Sequence, residues 1–269
     1  MLNKISKQKV FKIFTTGVFC IACASGIIYS QKKSLAKLDT AKNIDIYRAE
    51  SNAESARLSF FTKASAFGFN NLIADYAYLN FINYFGDNEA REQIGFGLTS
   101  KYLETIIAKD PMHTEAQFII SPAVTLKQGD PEETVTLLDR SLTKLEPIIN
   151  SEDRDKLYKP NFLWVYKGID ELLFLGDARA AEKSYRKAAE WSQILGDDTR
   201  AKSTSQMADY LAKDPDNRTV QVGAWFSVWN SAPDIETRNM AQQNIERLGG
   251  RLEIKNGRAT AYPPQEDRS

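Results

Sequence analysis

The sequence predicts an all-α protein, an array of helical hairpins that follows a single transmembrane helix and ends in a small β-hairpin. Apolar residues recur at steps of three and four through most of the chain, as on one face of a helix. One early stretch is uncharged, and a late stretch alternates around Asn256-Gly257, a strong hairpin signal. The chain is therefore predicted to contain six segments: a basic flank (1–12), a transmembrane anchor (13–31), a stalk (32–57), a helical domain (58–250), a β-hairpin tail (251–262) and a disordered tail (263–269).

The transmembrane helix is predicted from charge and length. Residues 1–38 contain seven lysines and no acidic residue, and the stretch from Ile13 to Gln31 carries no charge. Its 19 residues suffice to cross about 30 Å of hydrocarbon as a helix. Four lysines precede the span and three follow it, so the positive-inside rule places the N-terminus in the cytoplasm and the bulk on the opposite side.

Two alternatives to a retained anchor stay open for this segment. Ala22-Cys23-Ala24 has the small-residue spacing of a signal-peptide cleavage site. Ile21-Ala22-Cys23 resembles the end of a bacterial lipobox, which implies lipid attachment at Cys23, although Cys20 stands where that pattern has an aliphatic residue. The apolar residues beyond both cut sites, from Ile27 to Tyr29, favour retention.

The clearest helical hairpin is predicted at Asn161–Leu195. Gly176-Asp177 supplies a left-handed C-cap and an N-cap, which separates two amphipathic helices. The first helix has its apolar face at Phe162, Val165, Tyr166, Ile169, Leu172 and Leu173. The second has its inner face at Ala181, Tyr185, Ala188 and Ala189, where small side chains permit close approach.

This hairpin resembles a tetratricopeptide (TPR) repeat. Trp164 and Gly168 have the family's mutual spacing in the first helix, and Ala181 and Tyr185 match the Ala-x3-Phe spacing of the second. Lys167 and Glu171 depart from the pattern, because they stand where the family has Leu and Tyr. The resemblance implies a right-handed array of three to four helix pairs, whose concave surface holds peptides or protein segments. An ordinary antiparallel helix pair of a bundle is the alternative.

The stretch Ala66–Asp87 is the most apolar part of the predicted helical domain, and a helix apolar nearly all round is expected to be central and buried. The repeat register places Leu72, Leu79 and Ile82 in the core. It places five residues on the partner-binding groove, from two first helices: Tyr76, Asn80, Asn83, Tyr166 and Asp170. The stretch also resembles segments of membrane-anchored TPR proteins of cyanobacteria, which implies a thylakoid or plasma membrane location.

The remaining helices are predicted from periodicity and punctuation at Leu98–Lys109, Thr114–Lys127, Pro131–Leu145, Thr199–Lys213, Thr219–Ser231 and Pro233–Leu248. Asp87–Gly97 is predicted to be a long turn and Pro147–Lys159 a polar linker. Pro122 is expected to kink its helix, because proline lacks the backbone donor. Trp225 and Trp229, one turn apart, are expected to pack in the core, with a peptide anchor as the alternative.

Composition excludes several classes of function. Residues 39–269 hold 28 basic and 35 acidic residues, which argues against nucleic-acid binding. The single histidine, His113, cannot form a histidine-based metal site by itself, and no phosphate-binding loop or nucleophile motif is present. We therefore expect no catalytic residue, cofactor, metal or small-molecule substrate. An enzyme remains the minority hypothesis and requires Asp75 or another carboxylate in a deep pocket beside a second titrating group.

These observations predict a membrane-anchored, TPR-like scaffold or adaptor that binds protein partners. Its role is the assembly or stabilisation of a membrane protein complex. The alternative is a structural envelope lipoprotein or a periplasmic subunit of a secretion or pilus machine.

Overall fold

The computed structural model describes residues 44–213, 216–232, 235–255 and 258–264, together with Thr16, Ser25 and Gly26. Contacts divide the chain into two units, residues 1–47 and 48–269, and all packing described below belongs to the second unit. Within the described ranges, no helix has the length and apolarity needed to cross a bilayer. Several predicted segments lie wholly or partly outside the described residues: the flank 1–12, most of the anchor 13–31, the first part of the stalk at 32–43, the turn Asn256-Gly257, and residues 265–269 of the disordered tail.

The described residues are mostly helical, with a small antiparallel sheet at the C-terminus, as predicted. A π-helix spans Ser121–Gln128 and a 3₁₀ helix spans Glu152–Lys156. The α-helices and strands are α1 Ile44–Lys63, α2 Asn70–Gly86, α3 Asn88–Ile94, α4 Thr99–Lys109, α5 Thr114–Gln117, α6 Pro131–Ile149, α7 Asn161–Leu173, α8 Ala178–Ile194, α9 Asp198–Leu211, α10 Arg218–Ser231, α11 Ile235–Arg247, β1 Arg251–Lys255 and β2 Arg258–Tyr262.

The predicted hairpin at residues 161–195 is confirmed as α7 and α8. Gly176 takes a φ of 71°, and the Asp177 side chain caps α8 by accepting a hydrogen bond from the Ala180 amide at 2.8 Å. A Cβ atom at Gly168 would lie 2.9 Å from the Tyr185 ring, so the two helices approach through this glycine. Small residues therefore set the spacing of the pair, as the sequence indicated.

The predicted inner face of α7 is wrong in part. Its six apolar residues are only half-buried, whereas Lys167, Asp170 and Glu171 are buried. The main core forms around Leu163 of α7 and Trp191 of α8, both fully buried, with side chains of α4, α6 and the π-helix. Helices α6 and α8 and the π-helix all pack on α7. Several sides of α7 are therefore covered, including the side with polar residues, and not only the apolar face that periodicity predicts.

Pro122 changes the type of helix around it. The predicted helix 114–127 is short α5 followed by the π-helix, with Pro122 near the π-helix N-terminus. Proline removes an N–H from the hydrogen-bond ladder, and wider i→i+5 turns accommodate such interruptions.

Two segments predicted to be loops contain helix. Helix α3 lies inside the predicted turn 87–97. Helix α6 continues through Pro147 into the predicted linker and ends at Ile149, which is fully buried.

The expected central burial of Ala66–Asp87 is wrong. Helix α2 buries Ala74, Ala77 and Phe81, and it packs on α4. The residues assigned to the core by the repeat register, Leu72, Leu79 and Ile82, are exposed at 65%, 64% and 47%. Helix α1 continues to Lys63, beyond the predicted stalk, because Leu58 is buried beside Phe81 and Tyr102.

After α9, the chain packs against earlier elements instead of extending the row of helices. Helix α9 packs on α8, but α10 packs against the π-helix and α7, where the Phe174 and Trp225 rings meet at 5.4 Å. Trp225 is buried, which confirms its core role. The predicted hairpin is present, with Lys255 opposite Arg258, and it docks on α10 and α11 through Leu252 and Ala261.

Candidate functional site

One face of α2 is apolar and exposed. Phe69, Leu72, Tyr76, Leu79 and Asn83 follow one another at steps of three, four, three and four residues, and we call these five residues the α2 face. The steps match those of a seam that packs against another helix. Phe69 is 66% exposed, and Leu72 and Leu79 are nearly as exposed, so nothing among the described residues covers them.

Aromatic contacts extend this surface onto α1. The rings of Phe60 and Phe61 lie 5.9 Å apart, and Phe61 meets Tyr76 edge-on at 5.7 Å. Phe60 is 66% exposed, and Phe67, in the turn before α2, is 89% exposed. Exposed aromatic rings therefore lie on α1 and in the turn before α2 as well as on α2 itself. This concentration of exposed apolar side chains makes the region the candidate functional site.

The structure places three predicted partner-binding residues together on α2. Tyr76 and Asn83 belong to the α2 face, and Asn80 lies at its edge, where its amide donates to the Tyr76 carbonyl at 2.7 Å. The Tyr76 hydroxyl accepts a hydrogen bond from Arg57 Nη1 at 3.2 Å. Asp75 is the one charged residue of α2, and it is exposed, so this carboxylate lacks the burial that the enzyme hypothesis requires of it.

Tyr166 lies in a different group of contacts. It is half-buried, and its ring lies 6.0 Å from that of Phe118, which also meets Tyr158 and Phe162 edge-on. None of these contacts shares a residue with those of Tyr76. The structure therefore does not join the two predicted halves of the groove through direct contacts.

Asp170 is fully buried, so its predicted position on a groove surface is wrong. Its Oδ1 accepts a hydrogen bond from Thr125 Oγ1 at 2.5 Å, and its Oδ2 has no partner. Burial raises the pKa of Asp170 to about 6, although hydrogen bonds from Thr125 and Ser121 act in the opposite direction. This carboxylate therefore links α7 to the π-helix from inside the protein, where a protein partner has no access.

Three aromatic residues of this region were not predicted from the sequence: Phe60, Phe67 and Phe69. The steps of three and four that start at Phe69 were visible in the sequence, but periodicity alone does not tell whether an apolar stripe faces the core or solvent. Only the position of α4, which covers the opposite side of α2, decides that.

A metal site requires several ligating side chains close together. No group of three or more histidine, cysteine or acidic side chains in the described ranges is placed to hold a metal ion. His113 is engaged with the ring of Tyr78, at 5.1 Å between centroids. No protein-family model, curated protein or solved structure matches this chain.

Proposed function

We propose that this protein is a membrane-anchored helical scaffold that binds a helix of a protein partner on its α2 face. Its role is the assembly or stabilisation of a membrane protein complex, without catalysis. The observation that carries the proposal is the exposed apolar seam Phe69, Leu72, Tyr76, Leu79 and Asn83. Seams with these steps are filled by knobs from a facing helix.

The chemistry of the seam specifies the partner. Helix α2 contains one charged residue in 17, so binding an apolar helix there removes few charges from water. Asn83 gives the seam one polar position, and a single polar residue in such a seam specifies register. We therefore expect a partner helix with leucine or aromatic residues at steps of three and four and few charges.

The α7–α8 hairpin supports a TPR-like origin of the fold. Gly168 meets Tyr185 where the helices approach, and the two departures from the family pattern, Lys167 and Glu171, are buried partners of each other. The placement of α10 against α7 departs from a simple array, in which each repeat contacts its neighbours alone. We therefore keep the right-handed arrangement of TPR-like repeats as a proposal, with α10 as a departure from it.

The membrane anchor in this proposal is the uncharged segment 13–31, which follows four lysines. It holds the N-terminus in the cytoplasm and the helical domain on the opposite side of a plasma or thylakoid membrane. A tethered domain meets partners in the same membrane at a high effective concentration, so a moderate apolar patch suffices for capture.

The test is purification of the tagged full-length chain in mild detergent, with mass spectrometry of the proteins that accompany it. A Leu72→Lys/Leu79→Lys variant is compared with Val220→Lys, which adds a charge at an exposed apolar position on α10. We expect loss of the accompanying membrane subunits in the first variant alone. Exposed substitutions change stability by roughly 0.5 kcal/mol or less, so both variants should fold.

Two results would contradict the proposal. The first is an unchanged set of partners in the α2 variant, and the second is recovery of the wild-type chain without detergent and without partners. If the only protein that co-purifies is a second, differently tagged copy of the chain, the helix bound on the α2 face is α2 of another copy.

A further inference from the structure

A second surface feature lies away from the α2 face. A cavity of about 780 Å³ opens between α1, α3 and α11, and we call it the Arg91 cavity after the residue that distinguishes it. Small-molecule sites occupy roughly 300–1,000 Å³, so this cavity is of suitable size. Its walls are mainly polar, and they include Arg48, Glu92, Gln128 and Thr237.

Arg91 is buried without a carboxylate partner. It is 6% exposed, and within the described part of the chain it forms no ion pair. Its Nη1 donates to the Gly95 carbonyl at 2.5 Å, while its Nε has no hydrogen-bond partner. Burial of an arginine in this state is unfavourable, because a desolvated charge needs an opposite charge and hydrogen bonds to compensate it.

The guanidinium is held in place by an aromatic ring. Its central carbon lies 3.8 Å from the centroid of Tyr84, and the Tyr84 hydroxyl accepts a hydrogen bond from the Leu98 amide at 3.0 Å. A cation over an aromatic face gains attraction but still lacks a counter-charge. The ring and the Gly95 carbonyl thereby hold the planar guanidinium in one orientation at the cavity wall. A guanidinium held in this way forms strong charge-assisted hydrogen bonds with phosphate and carboxylate oxygens.

The charge of the cavity wall also favours an anion. Arg48 of α1 lines the same cavity, and Glu92 is the one acidic residue among the lining residues. Two arginines against one glutamate leave the wall positive, and Ser51 and Asn52 add neutral hydrogen-bonding groups. We propose that the Arg91 cavity binds a small polar ligand with a phosphate or carboxylate group, which Arg91 and Arg48 hold. This site goes beyond the scaffold function and revises the expectation that the protein takes no small molecule.

The experiment titrates the full-length chain in detergent with inorganic phosphate, succinate and glycerol phosphate, at constant ionic strength set by chloride. Binding is followed by calorimetry and by the melting temperature, which rises when a ligand binds the folded state alone. We expect saturable binding of at least one anion, weakened tenfold or more in Arg91→Gln and several-fold in Arg48→Gln. Lys202→Gln, on the exposed side of α9, should bind as the wild type does.

Short-chain phosphatidylglycerol identifies the source of the anion. Tighter binding than that of glycerol phosphate assigns the site to a lipid headgroup, and equal binding assigns it to a free anion. If Arg91→Gln fails to fold, Arg48→Gln decides alone, because Arg48 is exposed. The proposal is overturned if the wild type binds none of these compounds up to about 10 mM, well above a millimolar Kd. Binding that both arginine variants retain also overturns it.

Discussion

Lys167 and Glu171 form a buried ion pair within α7, with 2.6 Å between Lys167 Nζ and Glu171 Oε1. Ser184 of α8 donates to the second carboxylate oxygen at 2.6 Å, and Asp139 of α6 lies 3.2 Å from the ammonium. The two residues that depart from the TPR pattern thus compensate each other. Their contacts also connect α6, α7 and α8.

We predict that Lys167→Met alone destabilises the protein by about 3–5 kcal/mol, because it leaves the Glu171 charge buried without its partner. The double variant Lys167→Met/Glu171→Met should lose less than either single variant, since apolar residues of similar volume replace the pair. Urea unfolding followed by circular dichroism of the full-length chain measures both. Arg186→Ala, which breaks an exposed pair with Glu182, should change stability little. Equal losses in the single and double variants would contradict this account.

Gly168→Ala should destabilise the protein by about 1–3 kcal/mol, as expected for overpacking. The added Cβ would lie 2.9 and 3.0 Å from two atoms of the Tyr185 ring. Gly223→Ala in α10 is the matched control, because its Cβ meets nothing within 4 Å. That substitution should stabilise the helix by up to about 1 kcal/mol. Thermal unfolding of the two variants gives opposite changes in Tm if the contact is as described.

Asp170 should make stability depend on pH between about 4 and 6. Burial raises its pKa from 3.8 to about 6, so its favourable contribution is fully present below the unfolded pKa and is lost as pH rises through 6. A difference of about two pH units corresponds to about 3 kcal/mol. Asp170→Asn should remove this dependence, which urea unfolding at pH 4, 5, 6 and 7, roughly spanning both pKa values, detects.

Asp216→Asn provides a control that should leave the pH dependence of stability between pH 4 and 7 nearly unchanged. Hydrogen bonds from Arg218 lower the pKa of this exposed carboxyl to about 2. Its contribution is therefore present above the unfolded pKa and is lost as pH falls through the folded pKa of about 2, mostly below the range of this measurement. If Asp170→Asn left the wild-type pH profile unchanged between pH 4 and 7, the burial of an ionising Asp170 would be contradicted.

The docking of the β-hairpin depends on Gly250. A Cβ atom there would lie 2.8 Å from a Val222 methyl and 2.9 Å from the Tyr262 carbonyl oxygen. Because the second contact is backbone, it cannot yield by a side-chain rotation. We predict that Gly250→Ala costs about 1–3 kcal/mol and speeds amide hydrogen exchange in β1 and β2. Gly86→Ala, with open space around it, should leave that exchange unchanged.

The sequence predicted helix boundaries well where a capping residue fixes them. Asp177 and Asp130 accept amide hydrogen bonds at the starts of α8 and α6, and these interactions need no distant part of the chain. The predictions failed where a neighbouring helix decides burial. Leu72 and Leu79 belong to an apolar stripe in either case, but α4 packs on the other side of α2.

The sequence by itself therefore predicted most of the helices, the caps at Gly176-Asp177, the close packing of α7 and α8 through small residues, and the C-terminal hairpin. All of these depend on backbone chemistry and residue size within a short segment. The tertiary structure alone decided that Lys167, Asp170 and Glu171 are buried, that the α2 face is open, and that Arg91 lines a cavity without a counter-charge. The physical reason is that burial depends on which surfaces meet across long stretches of sequence, and periodicity within one helix carries no information about its neighbours.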